Sequence, residues 1–148
     1  MSERPMLDLC RALIDGQLDP PPIARLIGFK PVEIGEGMAV FVLTGDPDKH
    51  ANPMGPMHGG VLVDLGDAAM GFAMACTLGP GESFTTVELK ANYFKPVWRQ
   101  TLRATAKMIR RSQSLGYLEC EIVDEKGSLV CKLASTCMVL RGDAAKGR

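Results

Sequence analysis

Residues 61–78, VLVDLGDAAMGFAMACTL, are small or apolar almost throughout, and only Asp64 and Asp67 interrupt them with charge. A helix of that composition has no continuous polar face, so it must be buried nearly all round by the rest of the chain. Two carboxyl groups inside such a helix are expensive unless they have a partner or a task. The helix begins at His58-Gly59-Gly60, after a loop carrying Pro53, Gly55 and Pro56. Glycine at a loop-to-helix junction lets a ligand approach backbone N–H groups closely, and a helix N-terminus favours negative charge. Together these features suit a reaction in which an oxyanion develops.

The apolar run also raises a membrane reading, but Asp near a bilayer centre costs about 3 kcal/mol, which favours a buried core helix. At 148 residues one domain is the default, large enough for a core without staples. Charged residues make up 23% of the chain and cancel to a net charge of zero, so no basic patch points to nucleic acid or to an anionic membrane. The five cysteines lack metal-ligand spacing and sit among apolar neighbours, which fits small buried thiols, a reducing cytoplasmic setting and no metal site.

The remaining periodicities surround the helix with strands. Residues 6–14 have the spacing of a short amphipathic helix. Asp19 before three prolines reads as a helix cap, with Ile23, Leu26 and Ile27 inward and Gly28 closing the turn. Residues 1–28 thus form a helical extension covering an edge, with no chemistry of their own. Residues 30–44 read as a hairpin turning at Gly35-Glu36-Gly37. Residues 45–57 show no periodicity, and a connection of that length in a compact domain is functional or disordered. After Gly79-Pro80-Gly81, four strands are expected over residues 84–94, 101–111, 117–124 and 128–140. The last is apolar on both faces, as a strand buried on both sides would be. Residues 141–148 form a polar tail that frays. The predicted fold is α+β: a curved antiparallel sheet wrapped around one long central helix.

Asn52-Pro-Met-Gly55, His58-Gly59-Gly60, Asp67 nine residues past the histidine, and Thr86-Val-Glu-Leu-Lys-Ala-Asn-Tyr-Phe-Lys-Pro96 together resemble the hotdog-fold acyl-CoA thioesterases of the phenylacetate-degradation PaaI type. The resemblance covers about residues 32–140. It implies a hotdog fold, homodimers that pair into tetramers, and hydrolysis of acyl-CoA to free acid and CoA without a further cofactor. At the matching positions Gly59 N–H would polarise the thioester carbonyl, Asp67 would act as general base or nucleophile, and Asn52 would hold the water or the carbonyl. Many relatives place a Ser or Thr near the water. Thr85 and Thr86 both qualify here, and Thr86 is favoured because it directly precedes the matched Val-Glu-Leu.

Other residues admit two readings. His58 is a candidate acid–base group, yet a histidine at a helix start also fixes the preceding loop. His50 is a weaker candidate, and Asn52 before proline is itself a turn former. Asp64 is one turn from Asp67 and could complete a dyad or face solvent or an interface. Met38, Met54, Met57, Met70 and Met74 could line an acyl tunnel or fill the core. Arg110, Arg111 and Ser112, with Lys95, could bind the phosphates of CoA or be plain surface charge.

One consequence is geometric. Gly59 and Asp67 are eight residues apart, about 12 Å along a helix rising 1.5 Å per residue. An oxyanion donor and a base acting on one carbonyl must both lie within hydrogen-bond reach of it. If both act, one comes from each subunit of a two-fold dimer, with Gly66, Ala69 and Ala73 as the small residues allowing close packing. Two further readings are a hotdog enoyl-CoA hydratase, which would use His58 and Asp67, and a non-catalytic acyl-CoA sensor.

Overall fold

A computed structural model describes residues 2–148. Six antiparallel strands form one sheet: β1 (Lys30–Gly35), β2 (Met38–Thr44), β3 (Ser83–Tyr93), β4 (Thr101–Arg111), β5 (Leu115–Val123) and β6 (Leu129–Leu140). Their spatial order is β1-β2-β4-β5-β6-β3. Two helices precede the sheet, α1 (Pro5–Ile14) and α2 (Pro22–Ile27). A single turn, α3 (Pro47–His50), and the long helix α4 (Gly59–Ala75) lie between β2 and β3. Helix α4 touches all six strands, so the sheet curls around it. This is the α+β hotdog architecture expected from the two-strand, helix, four-strand pattern.

The core forms where the inward face of each strand meets α4. Phe41, Leu43, Leu102, Leu118, Ile122 and Leu133 are fully buried there against Leu65, Met70 and Met74. Phe41 stacks edge-on against Phe72 of the helix, ring centroids 4.9 Å apart, and against Phe29 at 5.9 Å. All five cysteines are free and buried. No helix among the described residues is long and apolar enough to cross a membrane.

Several local expectations change. Helix α2 starts at Pro22 behind Pro21, which makes no side-chain cap, so Asp19 is not the cap. The inward face also differs: Ala24 is buried and Ile27 packs on the core, whereas Ile23 and Leu26 are exposed. Gly28 does close the turn, at φ 99°. Residues 45–57 are not structureless. Asp46 accepts from Asp48 N–H to cap α3, and Ala51 pairs with Met57 across the loop. Four residues of helix are too few to leave a period in the sequence. Strand β6 lies inside the sheet with Cys131, Leu133, Ser135 and Cys137 buried toward the helix; its other face is half-buried from Lys132 to Thr136, exposed at Met138 and buried at Val130 and Leu140. Residues 142–145 of the tail form a short 3-10 turn.

Helix α4 is not buried all round within the protomer. Gly66, Ala69 and Ala73 face the sheet, and a Cβ on Gly66 would lie 2.6 Å from Leu133 Cδ2. These small residues therefore serve packing inside the protomer, not a helix partner. The uncovered stripe is Gly60, Val63, Asp64, Asp67 and Gly71, which the sheet leaves exposed or half-exposed.

Candidate active site

The start of α4 is built by hydrogen bonds. His58 is its N-cap, and its Nδ1 accepts from Gly60 N–H at 3.0 Å. Val61 N–H donates to the His58 carbonyl, and His58 N–H donates to the His50 carbonyl at 2.7 Å. Gly59 N–H, the first amide of the helix, has no partner among the described residues. The buried His50 ring is held at both nitrogens: Nδ1 accepts from Asp46 N–H, and Nε2 donates to the Ile27 carbonyl. Both histidines are thus engaged in holding the loop and helix start.

Asn52 shapes the same loop. Its Oδ1 accepts from Met54 N–H at 2.8 Å, and its backbone closes onto Pro56 and Gly55. That leaves the Asn52 amide NH2 available. Asn52, Gly59 and Leu62 line a hollow of about 460 Å³ with Tyr93 and Pro96. Tyr93 donates its hydroxyl to the Gly59 carbonyl at 3.0 Å, and its ring lies so near that a Cβ on Gly59 would meet it at 3.0 Å.

Asp67 opens onto a different hollow. With Asp64 it lies on the wall of an apolar cavity of about 630 Å³, closed by Phe29, Phe72 and Phe84 and by residues of α1 and α2. Neither carboxyl accepts a hydrogen bond among the described residues. Loss of water around it pushes the Asp67 pKa above the usual carboxylate value, and the neighbouring Asp64 charge pushes it further. Burial alone raises Asp64. Asp67 is reached by solvent at the cavity mouth while apolar walls crowd its other sides, and those walls raise its pKa.

Strand β3 carries the hydroxyl. A bulge between Thr86 and Glu88 shifts its register against β6. Phe84 lines the apolar cavity, and Thr86 Oγ1 lies 3.8 Å from the Sγ of buried Cys137. The Cys137 thiol also feels the Asp67 charge, which raises its pKa after burial has done so. Thr86, Cys137 and Asp67 therefore share one neighbourhood.

The remaining candidates disperse. Lys95 is ion-paired with Asp124, whose other oxygen accepts from Lys126 and Ser128 N–H groups. Arg111 lies near the C-terminal end of α4, donating to Thr77 Oγ1 and pairing with Glu82. Ser112 closes the β4–β5 turn with Leu115, and Arg110 is exposed. Within a protomer Lys95 and the Arg110–Ser112 cluster sit at opposite ends of the helix. The methionines divide: Met70 and Met74 are core, whereas Met54 and Met57 line the hollow beside Gly59.

Sequence reasoning missed the part played by α1 and α2 in walling the Asp67 cavity. The available signal was the apolar load of residues 6–27, where Leu9, Leu18 and Ile23 exceed what a short edge cover needs.

The chain thus combines a long helix with a free first amide, a carboxylate two turns on and a sheet curled around it. Residues 54–131 match the thioesterase superfamily. A 1,4-dihydroxy-2-naphthoyl-CoA hydrolase from Listeria monocytogenes is 32% identical over 109 residues, 74% of this chain and 88% of that protein. The Escherichia coli PaaI protein from the phenylacetic acid degradation operon superposes with a TM-score of 0.81 at 21% identity, covering 93% of this chain and 97% of that one. A conserved Pseudomonas aeruginosa protein superposes at 0.76 with 30% identity, over 82% and 95% of the two chains. The chain belongs to the thioesterase superfamily, a family of thioester hydrolases.

Proposed function

We propose that the protein hydrolyses acyl-CoA thioesters at two sites shared between the subunits of a homodimer. The observation that carries this reading is that Gly59 and Asp67 open onto separate hollows of one protomer, about 12 Å apart along α4 at 1.5 Å per residue. A second copy laid antiparallel on the uncovered stripe would set the Gly59 amide of one helix against Asp67 of the other.

The two sheet edges support that placement. Strand β1 is six residues long, contains Pro31 and a bulge, and is packed by α1. Strand β3 offers eleven residues without proline, and among the described residues nothing pairs to its outer side. A long open edge is a template for a further strand, and a second β3 would extend the sheet across the two-fold axis. Exposed Ile109, Leu115, Tyr117 and Met138 on the outer side of the sheet would let such dimers pair again.

In the proposed reaction the thioester carbonyl oxygen accepts from Gly59 N–H, with the Asn52 NH2 beside it. Water held near Thr86 attacks the carbonyl carbon and passes a proton to Asp67. The tetrahedral oxyanion is stabilised at the helix start, the C–S bond breaks, and the sulfur takes up a proton as CoA leaves with the free acid. The raised Asp67 pKa brings the carboxylate closer to the working pH of a general base. Direct attack by the carboxylate through an anhydride fits the same geometry. Arg110 and Arg111 with Ser112, and Lys95, would meet the phosphates of CoA. With His58 employed as a helix cap, a hydratase resting on a His58–Asp67 pair has less support.

Mixing two inactive variants tests the shared site. Asp67→Asn and Gly59→Ala chains are refolded together. A heterodimer then has one site with both defects and one with neither, so about a quarter of full activity returns for random pairing. No recovery above the separate variants would place both groups in one chain and refute the arrangement.

A further inference from the structure

The cavity beside Asp67 is closed by chain outside the part that matches the family. The match covers residues 54–131, whereas Met6, Leu9, Leu13, Leu18 and Ile23 lie in the N-terminal arm, residues 5–27. Leu9, Leu18 and Ile23 are 44%, 41% and 48% exposed, a heavy apolar load for a solvent-facing segment, and all three line this cavity. The lining is otherwise apolar, and among the described residues the only carboxyls facing the cavity are Asp19, Asp64 and Asp67.

The arm is a fixed wall. Cys10 and Leu7 of α1 pack on Cys76 at the end of α4, with Ile34 and Phe72 alongside. Arg4 donates to the Thr77 carbonyl and pairs with Glu36 at 2.8 Å. The far end is tied by the His50 ring to the Ile27 carbonyl at 2.7 Å. Between these anchors residues 15–21 arch over the cavity, bringing Leu18 and Pro21 to its lining.

We propose that this arm sets acyl specificity, forming with Phe29, Phe72 and Phe84 a pocket for an uncharged, apolar acyl group larger than acetyl. The identity of the headgroup rests on the acyl-CoA reading above. Three facing carboxylates repel an acyl group ending in its own carboxylate, so dicarboxylyl thioesters are excluded. The fixed anchors give the pocket a size limit, so a smaller arm side chain admits a larger group.

Binding of unreactive thioethers separates this proposal from the hydrolysis reading. Affinities of S-octyl-CoA and S-ethyl-CoA are measured by calorimetry for the unmodified protein, Leu13→Ala and Leu18→Glu, with thermal melts confirming the fold. The unmodified protein prefers the octyl compound, and Leu18→Glu lowers that preference roughly tenfold, the scale of one or two methylenes in a pocket. Leu13→Ala shifts the preferred chain upward in an S-alkyl series. An octyl-to-ethyl ratio that is flat in the unmodified protein, or the same in folded Leu18→Glu, overturns the proposal. Selective octyl binding without thiol release from octanoyl-CoA would sink the hydrolysis reading and leave the arm's role standing.

Discussion

The two hollows along α4 are made of different materials. At the helix start the surroundings of Gly59 are held by hydrogen bonds: His58 to Gly60, His58 to His50, Asn52 to Met54, and Tyr93 to Gly59. Around Asp67 the lining is hydrocarbon, and the carboxyl has no hydrogen-bond partner among the described residues. A fixed donor needs a rigid frame, because its worth depends on a few tenths of an ångström. A carboxylate of raised pKa needs few donors and cations around it, and a like charge such as Asp64 raises it further. One helix supplies both by keeping them about two turns apart.

Breaking the carboxylate side should have the largest effect. Asp67→Asn is expected to lower kcat by roughly 10³-fold, within the range for loss of a general base, while a thioether analogue still binds. Thiol release followed with a disulfide dye, beside calorimetric titration, checks both. Asp67→Asn retaining more than a tenth of the unmodified rate would remove this residue from the chemistry.

Disturbing the amide side comes next. Gly59→Ala keeps the N–H but drives a Cβ to 3.0 Å from the Tyr93 ring. A shifted donor is expected to cost about 10²-fold in kcat with little change in binding. Combining it with Tyr93→Ser opens the space and should restore part of the rate. No restoration would mean that the ring does not set the position of the amide.

His58→Ala should cost about 1 kcal/mol of stability through the lost cap, as a denaturant titration would show, and His58→Asn should recover most of it. A loss of turnover that His58→Asn failed to recover would return the imidazole to the list of reacting groups.

The smallest effect is on pH dependence. Folding raises the pKa of both Asp64 and Asp67, so the native state holds their protons more tightly than the unfolded chain does. Their contribution is fully present below the unfolded carboxylate pKa and is lost as pH rises through the raised folded values. The Asp64→Asn/Asp67→Asn protein should lack that decline and melt higher at neutral pH. A matching decline in melting temperature for both proteins would trace it to other groups.

What the sequence made legible followed from local spacing. The glycine pair before an apolar run marks the helix start, and Asp67 two turns on is visible as a charge in the wrong company. The rotation of α4 about its own axis was not legible, because small residues lie on every side of it; the burial of Ala69 and Ala73 and the contact of Leu133 with Gly66 show which ones face the sheet. Nor could the arm be assigned to the cavity, since Leu9 and Leu18 are more than forty residues from Asp67 and resemble any amphipathic surface. The choice of Thr86 over Thr85 rested on the matched strand, and alternation could not settle it because a bulge interrupts the strand.

That bulge has a consequence for how the gene can vary. Upstream of Val87 the strand sends Phe84 and Thr86 toward the helix, and downstream Leu89 and Ala91 point the same way. The odd spacing is reconciled by one supernumerary residue. Deleting Val87 alone would leave Phe84, Thr86, Leu89 and Ala91 in strict alternation on one face, so an in-frame loss of three bases is tolerable there, whereas the same loss at Thr85 would turn Phe84 to the outer face.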